Sequence, residues 1–378
     1  MITLHTYINN VTENSVLTAA VHAVVRRCVR LAHQAKALII IANCSLLITH
    51  LVACSTIDDD LSDCGTGYQL DYQLQLVTNM TTELSTQLTT STDVKLASAV
   101  RSHLSRIFTD MAHDVDLSFY DTEGDSLRLQ HDEHIMDDSL ASYTLYLPMR
   151  RYMHLAVANL IDNPMVSLAN DEYCHQSVLQ QPETDTISSH TTGIFTARLP
   201  MEVLEGVNQN FKVHLYMANC ASTLVIDTIG SGVRDVKVYV KGFATGFNIA
   251  DSTYQFSQQS PVVRPDIVNV ENTGDISFCS VTFPSREVTT TRGIIETTEP
   301  FVSPTSENSL WEYHVYVTTK EGSITETKLY VNKPLRAGQL KVLKAKAIGN
   351  GSVTTTDQTV AVSVTLNWDD GGQYEPTL

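Results

Sequence analysis

Positive charge is scarce in this sequence. Lys and Arg number 25 against 42 Asp and Glu, a formal net charge of −17. A surface so acidic repels phosphate backbones, which excludes nucleic acid as a partner. Tryptophan occurs only at Trp311 and Trp368, leaving little aromatic surface for stacking on sugars. No Cys-x-x-Cys pair and no Cys/His ligand spacing is present, so a zinc site built on thiolates is not expected. A long apolar run is missing too. Residues 37–53 are the most apolar stretch, and they fall short of the ~20 residues that span a bilayer comfortably.

What that short run does have is context. Arg26, Arg27, Arg30 and Lys36 precede it, and it ends in Leu51-Val52-Ala53-Cys54 before the polar Ser-Thr-Ile-Asp-Asp-Asp. A basic lead, an apolar centre and a small-residue exit make a secretory signal. The terminal four residues fit the lipobox of bacterial lipoproteins, with cleavage between Ala53 and Cys54 and a lipid on Cys54. The competing readings are an uncleaved transmembrane anchor and an ordinary export signal. Signals run 15–30 residues, so a start at Met1 is too early. The next methionine is Met80, and residues 1–25 are expected to stand outside the working protein, by way of a non-Met start. The expected organisation is a leader and signal over 1–53, a lipidated acidic tether over 54–67, and two domains over 68–205 and 206–378. Loss of 1–53 removes four basic and one acidic residue and takes the charge to −20.

Cys28 and Cys44 leave with the signal, and Cys64, Cys174, Cys220 and Cys279 remain. An even count in an exported chain permits disulfides in three connectivities, and four independent buried thiols fit the wide spacing equally well.

Period-two alternation over Tyr68–Val77 predicts a half-buried strand. A Thr-rich loop is expected over 81–92. Asp93 then caps a helix to about Phe108, with Leu96, Val100, Leu104 and Ile107 on one face. Strands follow at 115–120, 127–129, 142–147 and 152–158, and the polar stretch 162–190 reads as a long surface loop. Strand patterns resume at 193–198 and 211–217. The rest is almost wholly β, at 224–229, 236–240, 276–283, 312–318, 325–331, 339–347 and 359–368. In the last of these Val360, Val362, Val364, Leu366 and Trp368 share a face. Many short alternating strands argue for a mainly β, antiparallel sandwich fold.

No catalytic constellation is present, and the chain is not expected to be an enzyme. His131-Asp-Glu-His134 offers four ligand types, yet neighbouring side chains in a loop rarely converge and no distant partner is marked. No metal and no cofactor beyond the lipid is therefore expected. Asp121-Thr-Glu-Gly-Asp125 lacks the terminal Glu of an EF-hand and reads as a hairpin turn. Gly230-Ser-Gly232 precedes no helix, and neither Ser231 nor Ser352 sits in a nucleophile elbow.

Cys54, the acidic segment 57–64 and the strand-and-turn Leu117-Ser-Phe-Tyr-Asp121-Thr-Glu-Gly124 occur in a set order. They are followed by Trp311-Glu-Tyr-His-Val-Tyr-Val317, Gly322-Ser-Ile-Thr-Glu-Thr327, Lys333-Pro-Leu-Arg-Ala-Gly338 and residues 360–368. This ordered set resembles the fimbrial anchor lipoproteins of the Bacteroidales, the FimB/Mfa-type anchor subunits of fimbrillin pili. Asn367 departs from the Asp expected there, as does the long region before the signal. The resemblance implies two tandem transthyretin-like β-sandwich domains with one short helix in the first. It also implies a lipid-anchored subunit on the outer membrane, exposed at the cell surface. Its partners would be a fimbrial shaft subunit, whose fibre it ties at the base, and outer-membrane lipid. In shaft subunits an arginine-directed protease removes the first strand, whereas this chain has no arginine between Cys54 and Arg101. Two other classes compete, a surface glycan-binding lipoprotein and an exported hydrolase. Replacing Cys54→Ala is expected to abolish labelling by radioactive fatty acid and to release the protein from the membrane fraction; retention through residues 37–53 would instead mean a transmembrane anchor.

Overall fold

The computed structural model describes residues 68–78, 80–88, 94–108, 113–135, 140–228, 232–257, 261–269, 274–286 and 303–367. Ala53, Cys54, Cys64, Asp93, Ser231, Leu366's side chain and Trp368 lie outside what is described, as do the signal and the tether.

The chain opens with β1 (Tyr68–Val77), α1 (Met80–Leu88), α2 (Val94–Ile107), β2 (Asp114–Asp121), β3 (Arg128–Ile135), β4 (Leu140–Leu147) and β5 (Arg151–Ala158). Three short strands follow, β6 (Ser167–Ala169), β7 (Val178–Gln180) and β8 (Thr186–Ser188), then β9 (Phe195–Glu202) and β10 (Asn210–Met217). Next come β11 (Cys220–Asp227), β12 (Val233–Lys241), β13 (Gly246–Asn248), β14 (Thr253–Gln255), β15 (Val262–Arg264), β16 (Asp266–Asn269) and β17 (Asp275–Thr282). The last are β18 (Trp311–Thr319), β19 (Ile324–Val331), β20 (Leu340–Ala347), β21 (Val353–Thr354) and β22 (Val360–Asn367). The protein is mainly β and forms tandem sandwiches.

Sheet 1 has the order β3-β2-β5-β9-β10-β1-β4. It cannot lie flat. Tyr72 on β1 and Phe119 on β2 stand four strands apart, about 19 Å on a flat sheet. Their ring centroids are 6.5 Å apart. His134 and Tyr143, from the two opposite edge strands, stack at 4.3 Å. The sheet therefore curls on itself and encloses its own core. Leu70, Tyr72, Leu74 and Leu76 supply that core from β1, and Val115, Leu117 and Phe119 from β2. The alternation read from the sequence is what points them inward.

The same core runs on through the helices, where Met80, Leu84 and Leu88 of α1 join Leu96, Val100, Leu104 and Ile107 of α2. It ends on one face of sheet 2 (β16-β17-β11-β20-β21), at Ala221, Cys279, Val281 and Leu340. The opposite face of sheet 2, with Cys220, Leu224, Phe278 and Leu343, packs on Trp311, Tyr313, Val315 and Leu329 of sheet 3 (β22-β19-β18-β12-β15-β8). β11 is buried along nearly its whole length because both its faces are covered. A third core lies under the small sheet β14-β13-β7-β6, around Tyr120, Leu155, Leu179, Phe247 and Phe283.

Several expectations need correction. The Thr-rich stretch after β1 forms a second helix over Met80–Leu88, because Met80, Leu84 and Leu88 fall four apart and bury together. Residues 162–190 are no surface loop; they build β6 to β8 and bury Leu179, Ile187 and His190. The boundary near 205 falls between β9 and β10, neighbours in sheet 1, so the sheet ends at Met217 instead. All the described residues belong to one compact unit. The sheets are not purely antiparallel, since β1 runs parallel to β10, β11 to β20 and β15 to β8. Trp311 is buried as its alternation implies. β22 is an edge strand, and beyond Val360 its inner valines Val362 and Val364 are open to solvent. Among the described residues no helix is long and apolar enough to cross a membrane.

Gly242 closes the second sandwich, where β12 crosses the start of β18. It has φ +98°, and a Cβ there would stand 2.6 Å from the Leu310 carbonyl oxygen and 2.7 Å from Trp311 Cα. Both obstacles are backbone, so neither can step aside. Gly242→Ala is expected to cost roughly 3 kcal/mol through strain and the forced parting of these strands. Urea unfolding checks this, and an unchanged midpoint would contradict it.

Candidate functional site

The first strand, β1, is an interior strand of sheet 1. β1 pairs with β4 antiparallel from Tyr68 to Gln75, and with β10 parallel from Asp71 to Val77. Removing it would separate β4 from the rest of sheet 1 and open the core. Each fully buried side chain on it is worth about 1.5–3 kcal/mol, so Leu70, Tyr72 and Leu74 together match a large part of a domain's stability.

Tyr72 is fastened by more than packing. Its hydroxyl donates to Nε2 of His154 on β5, and His154 Nδ1 donates to the Ser118 carbonyl at 3.0 Å. The carbonyl accepts only, so the ring carries its proton on Nδ1 and is neutral. Phe119 stacks on the imidazole at 4.3 Å, and Tyr72 meets its edge at 5.3 Å. Burial lowers the His154 pKa to about 4 and raises that of Tyr72. Neither group reaches solvent. The pair positions β1 against β5.

A second buried polar joint ties sheet 1 to sheet 2. Asn159, at φ +64°, accepts from the His113 N–H at 2.8 Å and donates to the Gly193 carbonyl at 3.0 Å. Asn219 accepts from the Ile194 N–H and donates to the Thr192 carbonyl. His190 donates its backbone N–H to Val281 of β17, and its Nε2 accepts from the Gln181 amide at 2.8 Å. Burial lowers the His190 pKa to about 3. These residues escaped the sequence reading, because isolated Asn, Gln and His carry no periodic signal.

The three described cysteines are free thiols, each in a different core. Cys279 faces the first, Cys220 the second and Cys174 the third. Cys220 and Cys279 lie on paired strands, yet their registers place Cys220 opposite Thr282 and Cys279 opposite Thr223. They thus point to opposite faces of sheet 2, which rules out a bond between them. Burial raises all three thiol pKa values, that of Cys279 to about 12, so none is a reactive thiolate.

The His131–His134 segment also differs from expectation. It is not a loop but part of β3, so alternate side chains share a face. Asp116 on β2 supplies the distant partner, its Oδ2 accepting from His131 Nε2 at 2.7 Å. Glu133 Oε1 is 3.9 Å from the same nitrogen. His134 points the other way, onto Tyr143. Asp121 and Glu123 make the expected turn, in which the Glu123 N–H donates to Asp121 Oδ1 at 2.9 Å. Ser352 caps its own turn, its Oγ donating to Asn350 Oδ1 at 2.6 Å. A cleft of about 780 Å³ is lined by Gln180, Gln181, Glu183, Asp185, Thr245 and Gln255 among others, and none of its described lining residues is aromatic.

No protein-family model matches the chain, and no curated protein sequence matches it. Solved structures do. The fimbrial anchor protein Mfa2 from Porphyromonas gingivalis aligns over 79% of this chain and 98% of its own, at 11% identity and a TM-score of 0.41. A fimbrial assembly protein from Parabacteroides distasonis aligns over 80% and 99%, at 11% identity and 0.38. A Bacteroides eggerthii chain provisionally assigned to cell adhesion aligns over 80% and 96%, at 12% identity and 0.43.

The two buried histidines give the fold an acid limit. Their folded pKa values, about 4 and about 3, lie below the ordinary value of 6.5. The unfolded chain thus binds more protons between those limits, and stability present above pH 6.5 is lost as pH falls. Between pH 7.5 and pH 5 each histidine should remove about 2 kcal/mol. Urea unfolding at the two pH values tests this, and equal midpoints would contradict it.

Proposed function

We propose that this chain is a surface lipoprotein that anchors the base of a fimbria to the outer membrane and influences the assembly and length of the fibre. The observation that carries the reading is the place of β1. It is an interior strand of sheet 1, and nothing between it and Cys54 offers an arginine-directed protease a site. Arg101, the first arginine after Cys54, lies within the helix Val94–Ile107. A subunit that keeps its first strand presents no open groove to a following subunit, which suits the end of a polymer. A lipid on Cys54 would serve the same end, since several acyl chains hold a domain on a bilayer almost permanently. The ordered motifs from Trp311 to residue 368 support the same family. The protein needs no cofactor beyond that lipid and performs no catalysis. Its partners are a fimbrial shaft subunit and outer-membrane lipid.

A second reading, a surface glycan-binding lipoprotein, rests on the polar cleft beside Gln181. Among its described residues that cleft offers amides and carboxylates but no ring for a sugar to stack on, so this reading ranks below the first. A strain lacking this protein and related anchors, complemented with wild type or Cys54→Ala, decides between them. Fimbriae are expected to stay attached only with wild type, and the recovered protein should begin at lipidated Cys54 and continue through Val77. Attached fimbriae of normal length without the protein, or a major species starting after Val77, would overturn the proposal.

A further inference from the structure

The geometry points to a binding site for a zinc-class divalent cation on the outer face of sheet 1, formed by Asp116, His131 and Glu133. Among the described residues this is the one set of three ligand-type side chains that converge, with one ligand atom from each lying within 4.8 Å of the others. β2 and β3 are antiparallel, and the register sets Asp116 directly opposite Glu133 and Ser118 opposite His131. His131 and Glu133 are two residues apart and share a face with Asp116. The strand pairing thus delivers three ligands from two rigid elements, which a loop would not.

The distances fit an ion of this class. Tetrahedral zinc with bonds of about 2.0–2.2 Å holds its ligand atoms roughly 3.3–3.6 Å apart. The His131 nitrogen lies 2.7 Å from Asp116 and 3.9 Å from Glu133, so small side-chain rotations on either side of that range seat the ion. Two carboxylates directly opposite on neighbouring strands repel, and here the His131 imidazole between them offsets this, a role a cation would fill more fully. Ser118 Oγ donates to the other oxygen of Asp116 at 3.2 Å and leaves Oδ2 to the ion. On the same face, β5 sets the apolar Val157 beside Asp116 and Leu155 beside Ser118. These limit water on that flank and strengthen the attraction for a cation.

One imidazole and two carboxylates suit zinc and its transition-metal neighbours better than calcium or magnesium, which take oxygen ligands. On binding, the proton that His131 Nε2 shares with Asp116 moves to Nδ1 or leaves to solvent, and water takes the fourth position. β3 is an edge strand of sheet 1. An ion bridging β2 and β3 would pin that edge to the sheet.

Titration calorimetry of the full chain with ZnCl₂ tests the assignment. Wild type is expected to show a leading site that His131→Gln and Glu133→Gln each weaken by roughly tenfold or more. His175→Gln, at an exposed histidine elsewhere, should leave it unchanged. All three positions are solvent-accessible, so thermal unfolding in EDTA should be the same for every variant, which separates lost binding from lost folding. Equal zinc affinity in wild type and both site variants, or no zinc binding near neutral pH, overturns the site. Calcium binding that Glu133→Gln weakens and His131→Gln does not would overturn the choice of ion.

Discussion

Everything in the described fold leans on the two covered faces of sheet 2. β11 and β17 send alternate side chains to the core shared with sheet 1 and the helices, and to the core shared with sheet 3. Because burial of apolar area is the dominant favourable term in folding, the two sandwiches share their largest stabilising contribution through one sheet. That is why the described residues form one compact unit rather than two. It also explains the cysteines, two of which sit back to back in this sheet and cannot meet.

Polar groups mark where the packing had to be specified. The Tyr72–His154 pair and the joint from Asn159 to Asn219 are buried, and each hydrogen bond there replaces one to water for little net gain. Their worth lies in the cost of the alternatives. Any other placement of β1 against β5, or of the 190–194 segment between the sheets, would leave these atoms unpaired. The same burial keeps the histidines neutral, so order near neutral pH is linked to weakness in acid. For a protein proposed to hold a fibre under load, a first strand locked on both sides is the mechanically relevant feature.

Strands, their facing and one helix were legible because they rest on local periodicity. Tyr68–Val77 alternates, and the structure buries Leu70, Tyr72, Leu74 and Leu76 accordingly. Leu96, Val100, Leu104 and Ile107 recur at helical spacing and are buried. The segment 81–92 misled because threonine is a weak helix former, and it is tertiary packing, including contact with β20 and the neighbouring helix, that holds Met80–Leu88 in place. Residues 162–190 misled because their strands are three residues long, too short for alternation to show.

Sequence alone determined which residues face inward on each long strand, the strongly acidic balance and the lipobox pattern at Cys54, since these depend on neighbours along the chain. Tertiary structure alone decided who pairs with whom. Nothing local tells β1 that its partner is β10, or β11 that its partner is β20, and in each case the two are parallel strands joined by a long excursion. Nor does anything local tell His131 and Glu133 that Asp116 stands across from them. Those meetings follow from register between strands, and register is set by how whole faces bury together rather than by any one residue's neighbours.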